Sequence, residues 1–106
     1  MIKKGDIVLV SFPFTNLKGS KRRPAVILFV DDLDVIAVFI TSKINNPNSN
    51  EQLLRPSAKN RLKVTSLIKT TKICTLDKKL IRGKLGELSK DESKQLNLNL
   101  KKIFKL

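Results

Sequence analysis

The stretch PAVILFVDDLDVIAVFIT, residues 24–41, decides the fold. Two apolar runs rich in β-branched residues, 24–30 and 35–41, flank an acidic turn at residues 31–34. A strand, a tight turn and a second strand predict an antiparallel hairpin rather than two parallel strands joined by a helix. The first run is continuous rather than alternating, which indicates a strand that is covered on both faces.

Three further strands are predicted outside this hairpin, at residues 6–12, 64–68 and 72–76. Pro13 ends the first of them because proline cannot donate a hydrogen bond to a neighbouring strand. The remaining segments are predicted to be loops or turns, at residues 14–21, 45–50 and 77–79, and the chain is expected to stay irregular from residue 50 to residue 63.

The C-terminal residues predict one helix. Ser89 is a suitable N-cap, and Glu92, three residues later, completes a capping box. Apolar side chains then recur at helical spacing on one face: Leu96, Leu100, Ile103 and Phe104. This face is predicted to pack on the core. Five strands and one helix in 106 residues predict a single domain, residues 1–106, of the mainly β class: a small, strongly bent antiparallel sheet or barrel.

The charge balance predicts a polyanionic partner. The chain has 22 Lys and Arg against 9 Asp and Glu, a net charge of +13. Residues 1–53 hold 7 basic and 5 acidic residues, which leaves 15 basic and 4 acidic residues for the rest of the chain. An excess of this size favours nucleic acid first, then an acidic protein, then a membrane surface. The alternative is a soluble basic domain without such a partner.

Other residue counts exclude several kinds of site. The chain has no histidine, which excludes histidine-based acid–base catalysis, a Ser-His-Asp triad and the common zinc sites. The single cysteine, Cys74, cannot form an internal disulfide, and we expect it to be a buried small apolar residue in a protein of a reducing compartment. Since no apolar run approaches the length of a signal peptide or a membrane span, a cytoplasmic location is expected, with no membrane contact.

Two groups of residues are candidates for binding and chemistry. Phe14 lies in a predicted loop near Lys18 and Lys21, where it could stack on an unpaired base or anchor the loop in the core. Arg23 opens one hairpin strand and Thr41 ends the other, so antiparallel pairing makes them neighbours. A fixed guanidinium suits a phosphoryl centre, and a hydroxyl beside it could orient a nucleophile or donate to a phosphate oxygen. The alternative is that both are ordinary strand-end residues.

Several motifs together resemble the PemK/MazF family of toxins from bacterial toxin–antitoxin pairs. In the first half they are GDIVLV (residues 5–10), FPFT (12–15), GSKRRPAV (19–26) and ITS (40–42). In the second half they are SLIK (66–69), TLDKKLI (75–81) and KLGELS (84–89). The resemblance runs from about residue 4 to the C-terminal helix, in the order and spacing of the family.

The resemblance implies an SH3-like β-barrel with a C-terminal helix, working as a homodimer. The implied activity is cleavage of single-stranded RNA, usually mRNA, at short sequence motifs without a metal or other cofactor. The 2′-hydroxyl attacks the adjacent phosphorus and leaves a 2′,3′-cyclic phosphate and a 5′-hydroxyl. Arg23 matches the catalytic arginine of the family and Thr41 its catalytic threonine. An acidic antitoxin is the implied partner, and the toxin–antitoxin complex would bind operator DNA.

Further residues are expected to contact RNA: Phe14, Lys18, Lys21, Ser42, Lys69 and Lys72. One departure from the family concerns a strand where some branches carry a catalytic Arg-x-Asp pair and this chain has Lys69 and Thr71. Lysine keeps the charge but lacks the bidentate fork, and threonine cannot act as a carboxylate base. Two alternative functions are a related barrel that poisons DNA gyrase and a non-catalytic relative that binds nucleic acid or regulates its own operon. Arg23 and Thr41 favour RNA cleavage.

Overall fold

A computed structural model describes residues 1–12 and 21–106. Its strands are β1 (Asp6–Phe12), β2 (Lys21–Val30), β3 (Asp34–Thr41), β4 (Gln52–Leu54), β5 (Ser66–Asp77) and β6 (Ile81–Glu87). A short 3₁₀ turn, Lys78–Leu80, precedes β6, and helix α1 spans Lys90–Phe104. The strands form one sheet in the order β4-β5-β3-β2-β1-β6, in which all neighbours are antiparallel.

The hairpin predicted from residues 24–41 is confirmed. Val26 of β2 pairs with Val38 of β3, and the turn is closed by a 2.8 Å hydrogen bond from the Asp31 N–H to the Asp34 carbonyl. Strand β2 begins three residues earlier than predicted, at Lys21. Its central residues are completely buried, as expected for a strand covered on both faces.

Side chains on the two faces of the sheet form two apolar clusters. The cluster beneath α1 contains Ile7, Val26, Val38, Ile40, Leu54, Ile68, Leu88 and Leu96. The cluster on the other face contains Val8, Val10, Ala25, Ile27, Val35, Ala37 and Leu76. Cys74 borders the second cluster and is only partly buried, and burial raises the pKa of its thiol, so a thiolate nucleophile is disfavoured there.

Strand β5 is one continuous strand where two strands were predicted, and a large bulge within it accounts for the predicted gap. Val38 of β3 pairs with Ile73 and Ile40 pairs with Ile68, so four residues of β5 lie opposite the single residue Phe39. The gap between the two predicted strands falls on this bulge, residues 69–72. The bulge is anchored by Thr70, which is completely buried and donates its hydroxyl to the Ile68 carbonyl at 3.3 Å. A bulge of this kind redirects side chains away from the regular alternation of a strand.

The two edge strands were not predicted. Strand β4 lies in a segment that was expected to be irregular, and that expectation is wrong at Gln52–Leu54. Within residues 1–12 and 21–106 the sheet does not close, since β4 and β6 are not paired. Instead, the segment after β4 reaches β6, where the Glu87 N–H donates to the Lys59 carbonyl at 3.0 Å. The mainly β class with a C-terminal helix is confirmed.

Helix α1 begins as predicted. The Ser89 hydroxyl accepts the Glu92 N–H at 3.1 Å, and the Glu92 carboxylate accepts the Ser89 N–H at 2.8 Å, which completes the capping box. Leu96 and Leu100 pack on the core, but Phe104 is exposed, so the predicted apolar face is wrong at its last residue. No helix among the described residues is both long enough and apolar enough to cross a bilayer.

Candidate functional site

Arg23 and Thr41 lie at the same end of the central hairpin. Ala25 pairs with Phe39, and the same antiparallel register, carried two residues further, places Arg23 opposite Thr41. Arg23 also pairs with Val10 of β1, so its backbone is held in the interior of the sheet while its side chain is exposed. The fold therefore presents a cation from a rigid strand rather than from a loop.

Two cavities meet at this pair. The central cavity, about 460 Å³, lies against the β5 bulge and is lined by Arg23, Phe39, Thr41, Lys43, Lys69 and Lys72, among others. The side cavity, about 370 Å³, is lined by Arg22, Arg23, Thr41, Ser42, Lys43 and Lys63, among others. Four residues line both cavities, Arg23, Ile40, Thr41 and Lys43, and we call this shared lining the wall. A chain molecule crossing this wall would place one part in each cavity.

The Thr41 hydroxyl is held by the backbone that follows it. Its oxygen accepts a hydrogen bond from the Lys43 N–H at 3.1 Å. A hydroxyl that accepts through one lone pair can still donate its proton, so Thr41 can donate to an anionic oxygen beside Arg23. The wall thus combines a permanent cation with an oriented hydroxyl, a pair suited to a phosphate group.

The bulge brings Lys69 and Lys72 to the central cavity, but the two lysines differ in their partners. Lys69 forms an ion pair with Glu51, whose side chain is only 6% exposed, whereas that of Lys69 is 33% exposed. The hydrogen bond from Lys69 lowers the pKa of Glu51; burial opposes this shift and the Asn48 N–H reinforces it. Glu51 is therefore an anion at neutral pH with a mostly buried side chain. It lines a separate cavity, with Asp91 and Glu92 among others, and adjoins the central cavity through Lys69.

Comparison with known proteins identifies the family. Residues 3–104 match the family described as PemK-like, MazF-like toxin of type II toxin–antitoxin system. The chain belongs to this family. The match spans nearly the whole chain, including both strands that carry Arg23 and Thr41 and the helix α1.

Solved structures of mycobacterial proteins share the fold of this PemK/MazF-like toxin. One is an endoribonuclease in complex with its cognate antitoxin from a mycobacterial species, with a TM-score of 0.80 and 18% identity, covering 100% of this chain and 97% of that chain. Another is the Mycobacterium tuberculosis toxin MazF-mt6, with a TM-score of 0.77 and 19% identity over 95% of this chain and 97% of that chain. A mycobacterial endoribonuclease gives a TM-score of 0.73 and 19% identity over 99% of this chain and 92% of that chain.

The toxin structure brings together five of the residues singled out from the sequence, placing them around the two cavities: Arg23, Thr41, Ser42, Lys69 and Lys72. Phe14 and Lys18 lie outside the described residues. Lys21 pairs with Phe12 at the start of β2, and its side chain lies outside the described part as well. Thr71, in the bulge, is exposed.

Sequence reasoning missed several residues that line the toxin's cavities or control their lining. Lys43 and Asn45 were not predicted as individual contacts, although both line the central cavity. Glu51 was also missed, because it lies between a predicted loop and an edge strand too short to be recognised. The sequence did contain one indication: Glu51 is the single acidic residue between Asp34 and Asp77. An isolated acid in a basic segment is expected to pair with one of its cations.

A second charged cluster lies elsewhere on the toxin and is structural. Asp6, completely buried, binds Lys3 at 3.1 Å and Lys84 at 3.3 Å, and Glu87 binds Lys84 at 3.0 Å. Burial by itself would raise the pKa of Asp6, but hydrogen bonds from Lys3 and Lys84 outweigh it and lower that pKa. In residues 1–12 and 21–106, no group of three or more histidine, cysteine or acidic side chains is placed to hold a metal ion.

Proposed function

We propose that this toxin is an endoribonuclease that cuts single-stranded RNA, such as mRNA, at a short sequence motif. The observation that carries the proposal is the wall shared by the two cavities, where Arg23 and Thr41 stand beside Lys43. An RNA strand that crosses this wall places the scissile phosphate against Arg23, with the neighbouring nucleotides in the two cavities. Three further lysines then meet the flanking phosphates: Lys63, Lys69 and Lys72.

The proposed reaction uses the RNA's own nucleophile. The ribose 2′-hydroxyl gives its proton to solvent and attacks the adjacent phosphorus; the bond to the 5′-oxygen breaks, and that oxygen takes a proton from solvent and leaves as a hydroxyl. The products are a 2′,3′-cyclic phosphate and a 5′-hydroxyl. Arg23 stabilises the charge that develops on the phosphoryl oxygens, since a guanidinium is a fixed cation rather than an efficient proton donor. Thr41 donates to the phosphate or orients the 2′-hydroxyl, and in-line positioning supplies much of the rate.

The same cationic wall accounts for the proposed partners. An antitoxin with an acidic segment would cover Arg23 and the lysines and so exclude RNA. One of the structures with the same fold is bound to its cognate antitoxin, which supports a partner of this kind. We extend the proposal to a cytoplasmic homodimer whose antitoxin complex binds operator DNA. Phe14, Lys18, Lys21 and Ser42 remain predicted RNA contacts.

The test is incubation of the purified protein with a long single-stranded RNA in the presence of EDTA. Cleavage that leaves 5′-hydroxyl and 2′,3′-cyclic phosphate ends supports the proposal. Arg23→Ala is expected to lower kcat by about 100-fold to 1,000-fold, as for the loss of one donor to a developing oxyanion. Binding of RNA without cleavage would favour a non-catalytic nucleic-acid-binding protein. Neither binding nor cleavage would favour the gyrase-poisoning alternative, and an unaffected Arg23→Ala variant would refute the assigned role.

A further inference from the structure

The proposed function does not explain why a mostly buried carboxylate, that of Glu51, is paired with Lys69 of the central cavity. A carboxylate beside a cavity that binds RNA should repel the phosphates, yet the Glu51 side chain is 6% exposed and ionised. Burying an anion costs free energy unless it is paired and hydrogen-bonded. Here both conditions hold, so the pair is a built element of the site.

The backbone fixes Glu51 on both sides. Gln52 of β4 pairs with Ile68 of β5, and the next position outward in this register places Glu51 opposite Lys69. The Glu51 carboxylate accepts the Asn48 N–H at 3.1 Å, and the Glu51 N–H donates to the Asn48 carbonyl, also at 3.1 Å. Glu51 therefore presents a carboxylate at a defined point next to the bulge.

Lys69, by contrast, has little that orients it. A lysine ammonium is a point charge on a flexible stem with three donors, whereas an arginine carries a rigid planar fork. Its position in the bulge also removes the regular side-chain direction of a strand. An ion pair with Glu51 uses one of the three donors and leaves two for groups in the cavity.

We propose that Glu51 is a positioning residue of the RNA-cleaving site, which holds the Lys69 ammonium at the central cavity so that it meets a phosphate of the bound strand. This inference rests on the proposed function and deepens it. Glu51 itself does not touch RNA. It gives a lysine the fixed orientation that an arginine at this position would have from its own geometry.

The proposal predicts separate effects on kcat and KM. Glu51→Gln keeps the size of the side chain but removes its charge, so the cavity becomes more cationic and KM for RNA stays unchanged or falls. The freed Lys69 is no longer held in its productive position, so kcat falls by about 10-fold to 100-fold. A purely structural role would reduce the folded fraction without this division between the two constants.

The experiment measures cleavage kinetics of a short fluorescent RNA by the wild type, Glu51→Gln, Lys69→Ala and the double variant. If Glu51 acts through Lys69, then Glu51→Gln produces no further loss of kcat once Lys69 is alanine. Lys69→Arg in the Glu51→Gln protein is expected to recover part of the lost kcat. The matched control is Glu87→Gln, which removes another lysine-paired carboxylate away from both cavities and is expected to leave kcat and KM unchanged.

The outcomes separate the two proposals. If the wild type cleaves RNA but the losses of kcat from the two single variants multiply in the double variant, Glu51 and Lys69 act independently. This result overturns the role of Glu51 and leaves the proposed function unaffected. A rise in KM at constant kcat in Glu51→Gln overturns it as well. A wild-type protein that does not cleave RNA overturns both. Thermal unfolding of each variant gives the folded fraction by which kcat is corrected.

Discussion

Gly86 of β6 should be essential for the connection between the two edges of the sheet. A Cβ atom added there would lie 2.3 Å from the carbonyl oxygen of Asn60 and 2.7 Å from that of Lys59. Both are backbone atoms, so the strand or the segment after β4 must move. Asn60 resists that movement, because its buried side chain accepts the Ser57 and Leu62 N–H groups and donates to the Arg55 carbonyl.

The magnitude for Gly86→Ala has two parts. Overpacking against a fixed backbone costs about 1–3 kcal/mol. The shift would also break the hydrogen bond from the Glu87 N–H to the Lys59 carbonyl, a net loss of about 1 kcal/mol. Together these predict a destabilisation of about 2–4 kcal/mol. For a domain of this size, that corresponds to a fall in Tm of about 10–20 °C.

Gly83→Ala is the matched control for this measurement. Gly83 lies in the same strand, and a Cβ there meets nothing within 4 Å. Alanine at this position is expected to change the free energy of unfolding by less than about 1 kcal/mol. Thermal and urea unfolding of the two variants gives the comparison. Equal stability of the Gly86→Ala variant and the wild type, or an equal loss in both variants, would refute the close approach of β6 to Asn60.

Three further predictions concern charge. Asp6→Asn should lower the free energy of unfolding by about 1–3 kcal/mol at pH 7. Because folding lowers the pKa of Asp6, this difference is complete above the unfolded value of 3.8 and shrinks progressively as pH falls from there through the lower pKa of the folded state. Tm measured from pH 7 to pH 3 gives the test, and a constant difference between variant and wild type would contradict it. Lys72→Ala should reduce the salt dependence of RNA binding, lowering the slope of log K against log[salt] by about 0.7, and an unchanged slope would exclude a phosphate contact. Lys63 and Lys72 line different cavities, so their removal should affect RNA on opposite sides of the cleaved bond. Lys63→Ala should raise KM for an RNA extended on one side of that bond, and Lys72→Ala should raise KM for an RNA extended on the other side. Equal effects of each variant on both RNAs would contradict this division.

The central hairpin and the helix start could be predicted because their determinants are local. An apolar run, an acidic turn and a second run specify the pairing of β2 with β3, and that pairing alone makes Arg23 and Thr41 neighbours. The Ser89–Glu92 capping box likewise depends on residues only three positions apart. The most specific part of the candidate site is thus a consequence of the most predictable part of the fold.

The edge strands could not be predicted, because tertiary contacts form them. Strand β4 has three residues, too few for a periodic pattern, and exists through its pairing with β5. Strand β6 contains two glycines and two cations in seven residues, a composition that disfavours a strand. Its pairing with β1 and the fit of Gly86 against Asn60 outweigh this preference.

The bulge explains why the chemistry of the site can change without loss of the fold. Four residues of β5 face the single residue Phe39, so the ladder on either side depends on Ile68 and Ile73 and not on the residues between them. Thr70 is buried and anchors the bulge, whereas Lys69 and Lys72 reach the cavity and Thr71 is exposed. Side chains at these three positions can therefore vary with little cost in packing. A lysine in place of an arginine is tolerated by the fold, but it loses orientation, and the only acidic residue between Asp34 and Asp77 lies where it can restore that orientation.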